Sequence, residues 1–450
     1  MASTQSSHAR SIEKLLNSGP LTSNMLCESL GLSQPTVSRA LKSMGADVLR
    51  FNIHKSIHYL LRDHARGHLI APIARVTKDG QLQRLGVLEP VRPEGFVLLG
   101  ATGQDSYSEG LPWWLFDMRP QGYLGRAFVH KNAKQWELPE RLVDWSDTNV
   151  LQALHLYGDD LPGNVLVGER SEQVFINQPM PTPLGLDGRG QAYATLSAKA
   201  DAGDIAGSSA GGEQPKFTAY VQTEDGPAHV IVKFTARDNN AISERWRDLL
   251  RAEHHALEVL RQAGVPAAKT QIVDSQGQRF LEVVRFDRIG ALGRAALLSL
   301  SALDAEFVGI GSSWYAITRA LVQAQCVVPE AAQGADLLWA YGTLIGNTDM
   351  HAGNLSFTTD SGRPYALAPA YDMTPMAFAP KASGAIASTL APATIVAAIS
   401  GEIWRKAYVL AVSFAARLRN DAQLSERFAP CIAALDEHLD IAKQRIDRIA

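Results

Sequence analysis

Asp349 and Asn354 stand five residues apart in the run GNTDMHAGNLSF, Gly346 to Phe357, and a further aspartate, Asp372, follows in YDMTPM after a strand-like interval. A carboxylate at the first position can orient an attacking hydroxyl and accept its proton. The amide and the second carboxylate offer oxygen ligands that hold Mg²⁺ against the β- and γ-phosphates of a nucleotide, so the chemistry this set serves is phosphoryl transfer from ATP. Two earlier features suit the same task. Lys233 sits in the short apolar run VIVKF, as a strand lysine that meets nucleotide phosphates does, and Glu253 lies in a helical stretch beyond it. The segment SSAGGEQPKF, Ser208 to Phe217, carries the paired glycines Gly211 and Gly212, which let backbone N–H groups approach phosphate oxygens, and Lys216 as a point charge.

Taken singly, these features are weak. SSAGGEQPKF is not a Walker A sequence, a strand lysine is commonly a solvated surface residue, and a turn aspartate commonly bonds its own backbone. Their order carries the reading: glycine loop, strand lysine, D-x-x-x-x-N and then Asp is the order of protein-kinase parts. His351, flanked by Gly and Asn, is not packed into an apolar stripe.

Elements to hold these residues are legible around them. From Ala295 onward the periodicity is mostly helical, with LLWAYGTLIGN leading into the Asp349 segment. Between Gly67 and about Asp201 short β-rich runs such as LIAPIARV and FVLLG are broken by Gly and Pro. Asp147 to Glu169 reads as a helix, a turn and a strand. Gly185 to Gly207, rich in Gly, Ala and Asp, reads as a mobile connection. The aromatic-dense run LPWWLFDMRPQGYLGRAF is assigned no chemistry, because Trp113, Trp114 and Phe116 read as core or interdomain packing.

The N-terminus has a different character. Ser11 to Gly45 reads as three short helices: Ile12, Leu15 and Leu16 face inward on the first, Thr22 or Ser23 caps the second, Gly31 supplies a tight turn, and Ser33 caps a third with Pro35 in its first turn. Gln34, Thr36, Ser38, Arg39 and Lys42 are left on the outer face of the third helix, which is what a major-groove reader needs. DVLRFNIHKSIHYLLR then alternates like a two-stranded wing, with Arg50 and Lys55 available to a phosphate backbone. Up to Arg66 there are eight basic residues against four acidic ones, in a chain whose net charge is −3. A basic head on an acidic body points to DNA as a partner of the head alone. A three-helix protein-docking module is the competing reading.

Composition bounds the rest. At 450 residues, with 46% hydrophobic and 20% charged residues, the chain should form two or three packing units. No signal peptide and no spanning run is evident, and Cys27, Cys326 and Cys431 lack CxxC spacing, so a cytoplasmic, reducing environment without membrane contact is expected.

The chain resembles the HipA-like Ser/Thr kinase toxins, most strongly from Ser208 to Met376. Their Ser-x-x-Gly-x-Gln-x-Lys phosphate loop is matched by Ser209, Gly212, Gln214 and Lys216, their "RFDR" hinge by Arg285 to Arg288, their Asp-x-His-x-x-Asn loop by Asp349, His351 and Asn354, and their Tyr-Asp metal motif by Tyr371 and Asp372. LGLSQPTVSRAL, Leu30 to Leu41, resembles a bacterial repressor helix-turn-helix, and its fusion to the body resembles the YjjJ-like branch. The resemblance implies an α+β, bilobal protein-kinase-like fold with an N-terminal winged helix-turn-helix. The expected divisions are a DNA-binding domain over 1–66, an N-lobe with the phosphate loop over 67–290, and a helical C-lobe over 291–450.

It further implies an ATP- and Mg-dependent Ser/Thr protein kinase, a toxin of a toxin–antitoxin type system, acting on a protein substrate and binding DNA for autoregulation, with a homodimer as one assembly open to it. Asp349 would be the catalytic base. Gly211, Gly212, Glu213, Gln214, Lys216, Lys233, His351, Asn354 and Asp372 would bind ATP, Val284 and Phe286 would offer backbone groups to adenine, and Asn354 and Asp372 would ligate the metal. Ser209 would be the autophosphorylated serine. Val284 stands where family members often carry Glu, so only its backbone can contribute. The rival readings are a transcriptional regulator with a nucleotide-sensing kinase-like body, and a small-molecule kinase.

Overall fold

A computed structural model of the chain describes residues 2–53, 56–201 and 214–449. Three helices, α1 (Ala2–Leu16), α2 (Ser23–Leu30) and α3 (Gln34–Ser43), pack beside a small antiparallel sheet of β1 (Leu21–Thr22), β2 (Val48–Ile53) and β3 (Ser56–Leu61), in the order β1-β3-β2. Local signals set the helix ends. The Thr22 hydroxyl accepts the Met25 N–H at 3.3 Å, and Gly31, at φ +63°, ends α2 in the left-handed conformation that glycine adopts freely. Ser33 holds the cap position of α3, but its hydroxyl meets that of Thr36 at 2.9 Å and makes no capping bond to the backbone. Ile12, Leu16, Leu26, Val37 and Leu41 form the core beneath.

This head is docked on its neighbour in the chain. Leu49, Phe51 and Leu60 of the β2–β3 hairpin share a buried cluster with Val91 and Val97 of the next unit, and Arg62 Nε donates to Glu89 at 2.8 Å. That unit is a five-stranded antiparallel sheet, ordered β7-β6-β5-β4-β8, built from β4 (Ala71–Val76), β5 (Leu82–Pro90), β6 (Phe96–Gly100), β7 (Ser106–Ser108) and β8 (Val165–Val167). It is accompanied by α4 (Gly122–Asn132), α5 (Asp147–Tyr157) and α6 (Gly168–Asn177). A reciprocal capping box between Ser146 and Asn149 starts α5, whose Val150, Leu151 and Leu154 complete the core against Ile73, Leu88 and Phe96.

The connection expected over Gly185 to Gly207 contains a helix, α7 (Arg189–Asp201). Composition misled because two buried side chains anchor the helix. Arg189 Nη1 donates to Glu282 Oε1 at 3.0 Å, and Tyr193 Oη donates to the same oxygen at 2.6 Å. Residues 202–207 lie outside the described residues.

Next comes a second antiparallel sheet, ordered β11-β12-β10-β9, of β9 (Lys216–Thr223), β10 (Gly226–Phe234), β11 (Thr270–Ser275) and β12 (Gln278–Val284). Helix α8 (Ala241–Gln262) joins it to the helical remainder. Leu250 packs on Leu281 and Val283 of the sheet, while Leu249, Leu257 and Leu260 belong to the large helical core. After the short hairpin β13 (Arg288–Ile289) and β14 (Gly293–Arg294) come β15 (Leu298–Ser299), α9 (Leu300–Phe307), α10 (Trp314–Gln323) and α11 (Glu330–Leu344), then β16 (Ser356–Thr358), β17 (Ala366–Leu367), α12 (Gly401–Arg419) and α13 (Ala429–Ile446). A sheet-bearing part and a helical part thus face each other across a cleft, an α+β arrangement that fits a kinase-like fold. The position 66/67 falls within a helical turn, His64–Leu69, and 290/291 falls within the β13–β14 hairpin. Among the described residues no helix is long and apolar enough to cross a membrane.

Candidate active site

Strand β10 carries Lys233 into the interior, where its Nζ lies 2.7 and 2.9 Å from the two carboxylate oxygens of Glu253 on α8 and also contacts Asp372. Glu253 is fully buried and accepts a further bond, 2.7 Å, from the Thr374 hydroxyl. Asp372 has φ +52°, a left-handed conformation uncommon for a residue other than glycine, and its carbonyl accepts from Asn347 Nδ2 at 3.2 Å. The same Asn347 accepts the Asp349 N–H through Oδ1 at 2.9 Å, so one buried amide ties the two aspartate segments together. Asn354, in a short 3₁₀ turn, donates from Nδ2 to the Asp349 carbonyl at 2.8 Å. Asp349 and His351 are each about half exposed, their side chains 3.9 Å apart, and the Trp314 indole fixes the loop by donating to the His351 carbonyl at 2.8 Å.

Lys216, Lys233, Val284, Phe286, Asn354 and Asp372 line one cleft that opens to solvent. Asp349, His351 and Gln214 are not among its lining residues. Gly211, Gly212, Glu213 and Ser209 lie outside the described residues, as does Lys55 of the head.

The electrostatics follow from burial among charges. Burial, together with the nearby Lys233 cation, pulls Lys216 down to about 8, against attraction from Asp372, Glu253 and Asp349. Burial also works against the Lys233 cation, yet Asp372 and Glu253 hold its ammonium above the usual lysine range. Asp372 is disfavoured as an anion by burial but is held below the usual carboxylate range by Lys233 and Lys216.

The segment between the two facing parts is fixed by a buried ion network. Arg285 donates to both oxygens of Asp287 at 2.9 Å, and Arg288 reaches Asp287 at 2.8 Å and Asp160 at 2.7 Å. Asp287 also accepts the Gly163 N–H at 3.0 Å. The Val284 N–H is occupied by the Lys269 carbonyl at 2.8 Å, so the side of Val284 available to a ligand is its carbonyl. The Phe286 ring lies against Tyr371, centroids 5.8 Å apart.

Donors for a divalent cation fit without forming a cage. Among the described residues no group of three or more His, Cys, Asp or Glu side chains is placed to hold a metal. Asn354 and Asp372 share the cleft wall, and Mg²⁺ commonly takes one or two protein oxygens and completes its shell with phosphates and water.

The cleft also contains residues that motif reading passed over. Asp117 and Gln121, from the aromatic-dense run, and Pro162 line it, as do Leu297 and Ser299. The aromatics of that run do pack: Trp113 meets Phe307 of α9 edge-on at 5.1 Å, and Trp114 joins the core of the five-stranded unit. The available signal was the carboxylate within an apolar run. Burial raises the pKa of Asp117, whose Oδ2 accepts the Ser299 N–H at 2.6 Å.

The chain matches the family model for the YjjJ-like toxin middle domain over residues 68–176 and that for the HipA-like C-terminal domain over residues 208–439. Toxin YjjJ of Escherichia coli (strain K12) is 38% identical over 437 residues, covering 97% of this chain and 98% of that one. The chain belongs to the YjjJ-like branch of the HipA-like family. Of solved structures, a chain of the Shewanella oneidensis MR-1 toxin–antitoxin complex of HipA, HipB and operator DNA aligns with 16% identity and a TM-score of 0.45, covering 84% of this chain and 98% of that one. The Helicobacter pylori proinflammatory kinase CtkA aligns with 13% identity and a TM-score of 0.38, over 53% of this chain and 93% of that one. In this HipA-like chain the cleft draws on both matched regions: Asp117, Gln121 and Pro162 fall in the middle domain, and all its other lining residues fall in the C-terminal domain.

Proposed function

We propose that this chain is an ATP- and Mg²⁺-dependent Ser/Thr protein kinase of toxin type, with residues 1–66 as a winged helix-turn-helix that binds DNA, 67–290 as the N-lobe and 291–450 as the C-lobe. The observation that carries the reading is the meeting of Lys233, Glu253 and Asp372 in one buried cluster beside Asn354, with Asp349 half exposed at the adjoining loop. Val284 and Phe286 offer backbone groups to adenine. Lys216 and Lys233 meet the phosphates. Asn354 and Asp372 hold Mg²⁺, which when bound neutralises charge developing on the transferred phosphoryl group. Asp349, reachable from solvent, orients the incoming hydroxyl and accepts its proton. Lys233 contacts Asp372 in the structure, and a carboxylate with two oxygens can keep that contact while ligating Mg²⁺.

In the head, Gln34, Ser38, Arg39 and Lys42 are exposed on α3 and Thr36 is half-buried, an outer face free to enter a major groove. Ser209 is the proposed site of self-modification. The test is to incubate the full chain with labelled ATP and Mg²⁺, locate phosphate on the chain and on lysate proteins, and map the modified residues. Label on proteins supports the reading. Turnover that labels small molecules alone favours a small-molecule kinase, and binding without turnover favours the nucleotide-sensing regulator.

A further inference from the structure

Phosphoryl transfer needs its base and its metal ligand at a set separation, because the attacking hydroxyl at one must lie in line with the phosphorus held at the other, and a displacement of about 1 Å can cost roughly a hundredfold in rate. The two groups proposed for these roles come from different segments: Asp349 follows α11, and Asp372 follows β17. Asn347 spans them. Its Oδ1 accepts the Asp349 N–H at 2.9 Å, and its Nδ2 donates to the Asp372 carbonyl at 3.2 Å. The partners fix which end of the amide faces which segment, since a backbone N–H only donates and a carbonyl only accepts. A carboxylate lacks the donor, a single hydroxyl cannot reach both sides, and glutamine is one methylene longer.

The Asn347 amide is rooted on one side and holds an uncommon backbone on the other. Asn347 is buried, and its own N–H donates to the Gly342 carbonyl of α11 at 2.8 Å, in a helix that belongs to the large helical core. At the far end Asp372 has φ +52°, a conformation that persists in a residue other than glycine when its surroundings hold it there, and the bond from Asn347 falls on that residue's carbonyl. Thr374, two residues on, is held in turn by its 2.7 Å bond to Glu253. Asn354 also bonds the Asp349 carbonyl, but from within the same loop, so that bond shapes the loop without setting its distance from Asp372. Both Asn347 side-chain bonds run to backbone atoms, and so they locate the two aspartates without engaging either carboxylate.

We propose that Asn347 is a positioning residue for phosphoryl transfer: it sets the separation of Asp349 and Asp372 through their backbones and touches neither nucleotide nor metal. It is not among the residues that line the cleft. This rests on the phosphoryl-transfer reading above, with Asp349 as base and Asp372 as metal ligand. Loss of the amide slows the transfer step while nucleotide binding persists.

The experiment uses the full chain and compares the wild type with three variants: Asn347→Ala; Asn347→Leu, which fills the space of the amide with no polar atom; and Asn347→Asp, which keeps an acceptor for the Asp349 N–H but as an anion has no donor for Asp372. Leu418→Ala, in α12, supplies a loss of stability from another part of the helical core. Measured for each are kcat and KM for ATP at saturating Mg²⁺, ATP affinity by calorimetry with Mg²⁺ and with EDTA, and thermal melting. The alanine and leucine variants should lose roughly tenfold to a hundredfold in kcat, and the aspartate variant less. Metal-free ATP affinity should stay within a few-fold of the wild type, and the tightening that Mg²⁺ brings should shrink. Leu418→Ala should melt lower yet keep its kcat. A folded alanine or leucine variant with the kcat of the wild type overturns the proposal. So does a loss of kcat that Leu418→Ala reproduces at the same melting temperature, or one matched by an equal loss of metal-free ATP affinity, since either marks a general loosening of the fold. If the alanine and leucine variants unfold, Asn347→Asp carries the comparison, and an unchanged kcat there overturns the proposal. A wild type without turnover removes the kinase reading and this inference together, a result distinct from a working wild type whose variants match it.

Discussion

The Lys233 ammonium lies 2.7 Å from Glu253 Oε1 and 2.9 Å from Oε2, joining strand β10 to helix α8 across the interior of the sheet-bearing part. Because α8 is also packed into the helical core, this pair links the position of the lysine to both sides of the cleft. Glu253→Gln should therefore lower phosphoryl transfer at least tenfold and reduce stability, by up to about 3 kcal/mol where a buried pair loses one member. The contact to Asp372 tempers that loss. Turnover and urea unfolding measured side by side check both.

Asp349→Asn and Asp372→Asn should each abolish turnover but differ in how. Asp349 is half exposed and its backbone, not its carboxylate, holds the loop, so the asparagine variant should melt within a degree or two of the wild type and still bind ATP. Asp372→Asn removes the proposed metal ligand and a partner of Lys233, so Mg²⁺-dependent tightening of nucleotide binding should vanish. Undiminished turnover in either variant would falsify the site.

Lys216 gives a pH dependence. With a value of about 8 in the ligand-free chain it is mostly a cation at pH 7 and mostly neutral at pH 9, and phosphates favour the cation. ATP affinity should fall by about tenfold per pH unit above 8, until the value reached in the complex, and Lys216→Arg should flatten the profile. The same residue affects stability in the opposite direction. Its folded value lies below the ordinary 10.5, so the unfolded chain binds more protons between about pH 8 and 10.5 and this residue's contribution to stability rises across that window. Titrations of nucleotide binding and of urea midpoints separate the two.

Arg39→Ala with Lys42→Ala should weaken DNA binding by the full chain and lower the dependence of log K on log salt by about 2, while leaving ATP turnover unchanged. The full chain is the right material, because cutting after Arg66 strips Leu49, Phe51 and Leu60 of their cover from Val91 and Val97. Binding isotherms at several salt concentrations decide it. An unchanged salt slope would favour the protein-docking reading of the head.

Much of the cleft could be read in advance because its side chains follow the order that phosphoryl transfer, the proposed chemistry, demands. Lys233, Asn354 and Asp372 announce themselves by type and spacing, and the helices of the head by Thr22, Gly31 and Pro35. Other features depend on contacts remote in sequence. Helix α7 looked like linker because Gly and Ala dominate its neighbourhood, and its stability rests on Glu282, 93 residues from Arg189. Asp117 was hidden among tryptophans, whose packing is real, and only the fold brings it to Ser299. The saturation of Asp287 by arginines likewise needs Asp160 and Gly163, which no local pattern associates with the hinge.

The shared cluster of Leu49, Phe51, Leu60, Val91 and Val97 packs the head directly against the five-stranded sheet. If α3 reads DNA as proposed, a helix on such a mount tilts together with the five-stranded unit on which the head is packed. If two copies sit on one duplex, the distance and phase between their reading helices are then dictated by how the bodies touch each other. On the proposed DNA-binding reading, operator spacing would then report the outer surface of the body, and substitutions far from any DNA contact would change which half-site separation is accepted.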